Sequence, residues 1–306
     1  MFACTPALLV SCAGMEHVTE EKPQVCPLCK TPSPAFHMRK NNCSLYKCGS
    51  CKFWFVYPLP KLDDVYNQDY FTGGHGGFGY VNYDRDKQPM VSTSESYVKL
   101  IEKYSLGHGR WLDVGAATGF FLSIVQRFGF EPSGVEMSAY AAGVARDKGF
   151  SVITGTSAQV PDEPKYDVVS MIDVIEHVSD PRAEILRVRE LLKDGGLFFL
   201  DTQDTGSLYA RIMGRRWHLI VPPEHVNYFS RKNLSLLLTQ CGFDVLELTT
   251  IGKRFSLPYI FSMLYKWQKL SLWLSLAQIC ERGWLAKIYL PINLRDTMSL
   301  VARKRS

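Results

Sequence analysis

RWLDVGAATGFF, residues 110–121, passes from a short hydrophobic strand through a glycine-bounded turn into an apolar helix running to Phe128. Glycines at both ends of the turn, Gly115 and Gly119, admit positive φ and let the backbone approach a ligand closely. The helix that follows opens with N–H groups that have no partner within the helix. This layout serves nucleoside cofactors, and both dinucleotides and S-adenosylmethionine (SAM) use it.

Outward from this stretch, strands and helices alternate. PSGVE reads as a second strand, FSVITG as a third, YDVVSMID as a fourth, GLFFLDT as a fifth, FDVLELTTI as a sixth and TMSLVARK as a seventh. The fourth is rich in β-branched residues, as a strand buried on both faces requires. Helices are expected near Ser94–Tyr104, over Ala139–Lys148 and over Ala183–Leu192, the last stopped by Asp194-Gly195-Gly196. A further helix over Leu234–Cys241 has Ser230 as its expected N-cap. Strict alternation implies an α/β fold with a mostly parallel sheet and helices on both faces, whose ligands bind at the carboxyl ends of the strands.

Three features separate the two cofactor classes. The turn is spaced GxxxG, whereas a dinucleotide loop is spaced GxGxxG. Asp113 precedes the turn, where a carboxylate would repel a pyrophosphate but suits the ammonium and sulfonium of SAM. Glu136 closes the second strand and is placed to accept both ribose hydroxyls, a role common to NAD and SAM sites. Together these favour SAM, with an NAD-dependent oxidoreductase as the alternative.

LDVGAATGFFL, GVEMSAYAA, YDVVSMIDVIEHVSDP and LLKDGGLFFLDTQD occur in this order over 109–304. They resemble the motifs of class I SAM-dependent methyltransferases, particularly the branch acting on small molecules, quinones and sugars. The resemblance implies a Rossmann-like seven-stranded sheet of order 3-2-1-4-5-7-6, its last strand antiparallel. It places Asp113, Gly115, Ala117 and Gly119 at the cofactor, although the family often has glycine where this chain has Ala117. Glu136, Met137, Ser157 and Asp173 complete the expected cofactor contacts. Asp173, Glu176 and His177 lie along the cofactor and the substrate entrance. His225, in PPEHVNYFS after the fifth strand, faces the same pocket, so Asp173, His177 and His225 are the candidate catalytic residues; His177 and His225 also have structural readings. The Tyr/Gly-rich segment 70–86 is expected to fold over the cofactor, with Tyr80 and Tyr83 as contacts.

Nine cysteines include two CxxC pairs, Cys26/Cys29 and Cys48/Cys51. Their spacing is that of a structural zinc ribbon, in which four thiolates leave no open ligand position. Cys43 is a bystander that could replace Cys48. The chain thus divides into a leader (1–22), the ribbon (23–58), a lid and linker helix (59–105) and the methyltransferase domain (106–306). The leader is a poor secretory signal, with no Lys or Arg before Cys12.

Between the sixth and seventh strands an insertion, 252–294, carries three tryptophans, and its stretch 253–280 has four basic residues and no acid. That composition suits a helix lying on an anionic membrane surface; a lid, a dimer contact or ordinary packing would also use it. The net charge of +5 is too mild to imply nucleic acid without a basic stripe. The expectation is a cytoplasmic enzyme, free or peripheral on the membrane's inner face, that methylates O or C of a small molecule; a sugar and a lipid-linked intermediate are the candidates. An RNA methyltransferase is the rival, because zinc-bearing RNA enzymes share the layout.

Overall fold

The computed structural model describes residues 22–60, 83–268, 270–281 and 283–306. Most of the expected leader and of the expected lid, Tyr80 included, lies outside the described residues.

The chain enters through β1 (Ala35–Lys40), β2 (Cys43–Lys47) and β3 (Trp54–Val56), an antiparallel meander. Asn41-Asn42 joins the first two strands with φ of 48° and 61°, the left-handed pair that suits a two-residue hairpin turn. Among the described residues α1 (Tyr83–Lys87) and α2 (Val91–Glu102) come next.

Then comes the alternation read from the sequence. It runs β4 (Arg110–Val114), α3 (Phe120–Arg127), β5 (Glu131–Glu136), α4 (Ala139–Asp147), β6 (Ser151–Thr154), β7 (Tyr166–Ile172), α5 (Pro181–Leu191) and β8 (Leu192–Gln203). It continues through α6 (Leu208–Met213), the two-residue strand β9 (Asn227–Tyr228), α7 (Arg231–Gln240) and β10 (Phe243–Thr249) to a final strand. That strand, β13 (Thr297–Lys304), is antiparallel to both β8 and β10. Together β10-β13-β8-β7-β4-β5-β6 form the seven-stranded sheet, which in the strand count of the sequence is the order 3-2-1-4-5-7-6. Helix α5 stops at Leu191, earlier than the Asp-Gly-Gly signal suggested, because Leu192 already pairs with Tyr166 of β7.

Each sheet face has its own apolar layer. On one, Tyr97 and Ile101 of α2 and Ile124 of α3 pack on Trp111, Phe199 and Val301. On the other, Ile185 and Val188 of α5 and Leu234 and Leu238 of α7 pack on Leu112, Met171 and Leu200. Phe53 and Phe55 of the ribbon belong to this second layer, and β3 pairs with β9 through Trp54↔Tyr228 and Phe55↔Asn227. The ribbon is therefore built into the sheet protein, and its meander gains a fourth strand from the far side of the chain.

The insertion contains two strands that its composition did not signal. β11 (Lys253–Ser256) pairs with β12 (Tyr289–Ile292), and between them lie α8 (Leu257–Gln268) and α9 (Ser271–Cys280). No described helix is long and apolar enough to cross a membrane.

Candidate active site

The glycine turn is held from below by β5. Gly115 and Ala116 both donate their N–H to Val135 O, at 2.8 and 3.2 Å. Gly115 has φ 80°, and a β-carbon there would meet Val174 Cγ2 at 2.5 Å, so the position demands glycine on two counts. Ala117 also sits in the left-handed region, at φ 47°, a backbone that favours glycine. Its N–H is donated to Glu136 Oε2 at 2.9 Å, and Ser138 N–H is donated to the other carboxylate oxygen at 2.8 Å. Two backbone donors fix the Glu136 carboxylate beside the turn while each oxygen keeps a lone pair for a further donor.

Asp113 lies on the strand itself and is buried. Ser170 Oγ donates to it at 2.5 Å, and Trp111 Nε1 donates in turn to Ser170 at 2.8 Å. Burial pushes the Asp113 carboxyl up to about 7, against the lowering effect of Ser170. Glu136 is raised as well, again by burial. Tyr83 packs on Ala117 and Ala141, and its helix is clamped to the turn: Asp84 accepts from Thr118 Oγ1 at 2.7 Å and from Lys148 Nζ at 2.6 Å. Met137 is exposed next to Glu136, and buried Ser157 opens a short turn after β6.

Asp173 stands at the carboxyl end of β7 with φ 53°, a strained backbone of the kind found at functional sites. Lys253 Nζ reaches it from the insertion at 3.1 Å and also lies 3.6 Å from Asp201 Oδ2. Burial raises the Asp173 carboxyl, but Lys253 and Lys87 outweigh it and hold the group below its ordinary value. Asp201, fully buried, is pushed up to about 6 by burial, which Lys253 opposes.

Glu176, His177 and His225 place one donor atom each within 4.8 Å of one another, a set able to hold a metal ion. The rings of His177 and His225 meet edge to face at 4.9 Å. His177 Nδ1 lies 2.7 Å from Glu224 O and His225 Nδ1 lies 2.9 Å from Leu219 O. A carbonyl can only accept, so both Nδ1 atoms carry hydrogen and Nε2 carries the lone pair. Burial, then His177, drives the His225 imidazole down to about 3, so it is neutral at physiological pH. Glu176 is raised to about 8 by burial and by Asp173, and it accepts from Thr202 Oγ1 at 2.9 Å. The structure thus brings Asp173, His177 and His225 close together. The sequence reading missed Lys253 and Asp201. An acid inside the buried run FFLD was the available signal for Asp201; Lys253 had none, since it arrives from the far end of the fold.

In the ribbon, Sγ of Cys26 lies 3.7 Å from that of Cys51, and Sγ of Cys29 lies 3.5 Å from that of Cys48. All four sulfurs fall within 4.8 Å of one another. Four thiolates about 2.3 Å from one zinc ion would lie about 3.8 Å apart, so the set fits that ion. The two knuckles are alike: Cys26 and Cys48 donate N–H to Thr31 O and Phe53 O, and Lys30 and Lys52 both have positive φ. Cys43 sits instead among Met38, Leu45 and Trp217.

The chain is 30% identical over 125 residues to a ubiquinone biosynthesis O-methyltransferase of Alkalilimnicola ehrlichii, a stretch covering 38% of this chain and 51% of that protein. It is 27% identical over 153 residues to its counterpart in Azoarcus sp., covering 45% and 65%. The chain therefore spans between half and two-thirds of these relatives' length. A chain in the complex of the Haloferax volcanii Trm112 methyltransferase activator with a methyltransferase superposes with a TM-score of 0.50 at 16% identity, covering 72% of this chain and 94% of that one; this is a likeness of fold. Residues 87–248 match the Methyltransferase domain family. That match takes in the glycine turn, both buried carboxylates and the cluster of Asp173, His177 and His225, and with more than half its length inside it the chain belongs to this family.

Proposed function

We propose that this chain transfers a methyl group from SAM to a hydroxyl of a small, lipid-linked acceptor, working at the cytoplasmic face of a membrane. The observation that carries the reading is the pair of buried carboxylates, Asp113 and Glu136, on either side of the glycine turn. Bound SAM would supply a methyl group on a cationic sulfur. Glu136 would accept both ribose hydroxyls, and Asp113 would face the positive end of the molecule. Met137, Ser157 and Tyr83 would line the cofactor, joined by Tyr80.

The acceptor would sit over Asp173, His177 and His225. A neutral His225 with its lone pair on Nε2 can take a hydrogen bond from an acceptor hydroxyl and aim its oxygen. Orientation of this kind supplies much of the acceleration in a one-step transfer. The partial match to ubiquinone O-methyltransferases and the apolar insertion beside Asp173 support an acceptor with a hydrocarbon part. Cys26, Cys29, Cys48 and Cys51 would hold zinc as a structural ion, with no open position for chemistry.

Thermal unfolding with added nucleosides tests the cofactor. SAM and its demethylated product should raise the midpoint, and NAD(H) should leave it unchanged. Stabilisation by NAD(H) alone would overturn the reading.

A further inference from the structure

Lys253 is paired with Asp173 and Asp201; beyond it, from 254 to 295, the chain carries six basic residues and one acid, Glu281. The same stretch exposes large apolar side chains well beyond what packing within the chain covers. Leu272 and Ile279 of α9 are each 59% exposed and Trp284 is 73% exposed, with Leu270, Leu274 and Leu290 also exposed. The two helices pack on each other, Phe261 stacking on Trp273 at 5.9 Å, yet in α9 only Ala277 and Cys280 are buried. Exposed apolar side chains in such number mark an interaction site. The excess of positive charge decides the occupant. A second copy would bring the same cationic face and repel it, whereas an anionic bilayer accepts the leucines and tryptophan into its acyl boundary and the lysines and arginines at its headgroups.

We propose that the β11–α8–α9–β12 hairpin is a docking surface for an anionic lipid bilayer, and that it sets the acceptor site against the membrane. The root of the hairpin carries the second half of this inference. Lys253, its first strand residue, ends on Asp173 and Asp201, so the docked element is anchored beside the residues over which the acceptor is proposed to sit. An acceptor held by its tail in the bilayer reaches those residues along the hairpin. This half rests on the methyl-transfer reading; the docking does not.

The full chain is sedimented with vesicles of phosphatidylcholine containing about 30 mol% phosphatidylglycerol, and separately with phosphatidylcholine alone. Binding to the anionic vesicles is expected to be at least about tenfold tighter and to weaken in high salt. The combined variant Leu272→Ser, Ile279→Ser, Trp284→Ser should lose about tenfold or more of that binding, while its affinity for SAM by calorimetry stays at the parent value. Equal binding to both vesicle types, no binding, or a triple variant that binds like the parent would overturn the docking. So would a free chain that is dimeric by light scattering and becomes monomeric in the triple variant. Intact vesicle binding without SAM affinity would leave the docking standing and remove the methyl-transfer reading.

Discussion

Lys253 Nζ and Asp173 Oδ1 are 3.1 Å apart, although 80 residues separate them in the chain. The pair joins the root of the insertion to the end of the strand where the acceptor is expected. Asp201 lies behind it, fully buried, with Ser299 Oγ donating to its other oxygen at 2.5 Å.

Replacing Lys253 with methionine keeps the length of the side chain and removes the cation. Asp201 then loses the charge that opposes its desolvation, so its pKa rises beyond about 6. A carboxyl raised above its unfolded value adds stability at low pH, which is lost as pH rises through the folded value. The variant should therefore be weakened by about 1–3 kcal/mol at pH 8 and by less at pH 5.5. Urea denaturation at the two values measures this, and an equal loss at both would contradict it.

Glu136→Ala should abolish the proposed ribose contact. It also frees the N–H groups of Ala117 and Ser138. Two charge-assisted hydrogen bonds of about 1.5–3 kcal/mol each correspond to at least about a hundredfold loss of SAM affinity. Titration calorimetry on the folded variant is the check, and a loss of only a few-fold would move the ribose elsewhere.

Between pH 6.5 and 8 the buried acids should dominate the pH dependence of stability. Asp113 and Glu176 are raised to about 7 and about 8, so the stability they add at low pH is lost as pH rises through those values. His225, lowered to about 3, acts in the opposite direction, but its contribution is complete above the unfolded value near 6.5. The unliganded chain should lose on the order of 2 kcal/mol across this window. Glu176→Gln keeps an acceptor for Thr202 and removes the ionisation. It should flatten most of the slope, and a slope unchanged from the parent would show that Glu176 is not its source.

The sheet was legible because each strand and helix carries its own punctuation. Ser230 caps α7 as expected, with Asn233 completing the box, and the β-branched run of β7 is buried on both faces. The turn and its carboxylates were legible for the same reason, being local in sequence. What the sequence could not give was the product of distant packing. Lys253 reads as surface charge until the insertion folds back over β7. Phe55 reads as part of a separate small module until β3 meets β9. The neutrality of His225 is likewise no property of PPEHVNYFS; it comes from burial against His177.

The pairing of β3 with β9 has a thermodynamic consequence. Val56 donates to Val226 O at 2.9 Å, and Asn41 Nδ2 donates to Pro222 O at 2.8 Å. Met38 and Leu45 share a cluster with Trp217 and Tyr228, which flank His225 in the chain. A metal-bound knuckle with its own core would melt alone and leave the enzyme body intact. Here the cysteine-bearing meander and the segment around His225 pack as two sides of one unit. Calorimetry should record a single endotherm, and a strong chelator or Cys48→Ser should move that whole endotherm down instead of splitting it in two. If the four thiolates hold the proposed zinc, its loss would be felt first as a loosened segment around His225, far from the sulfurs themselves.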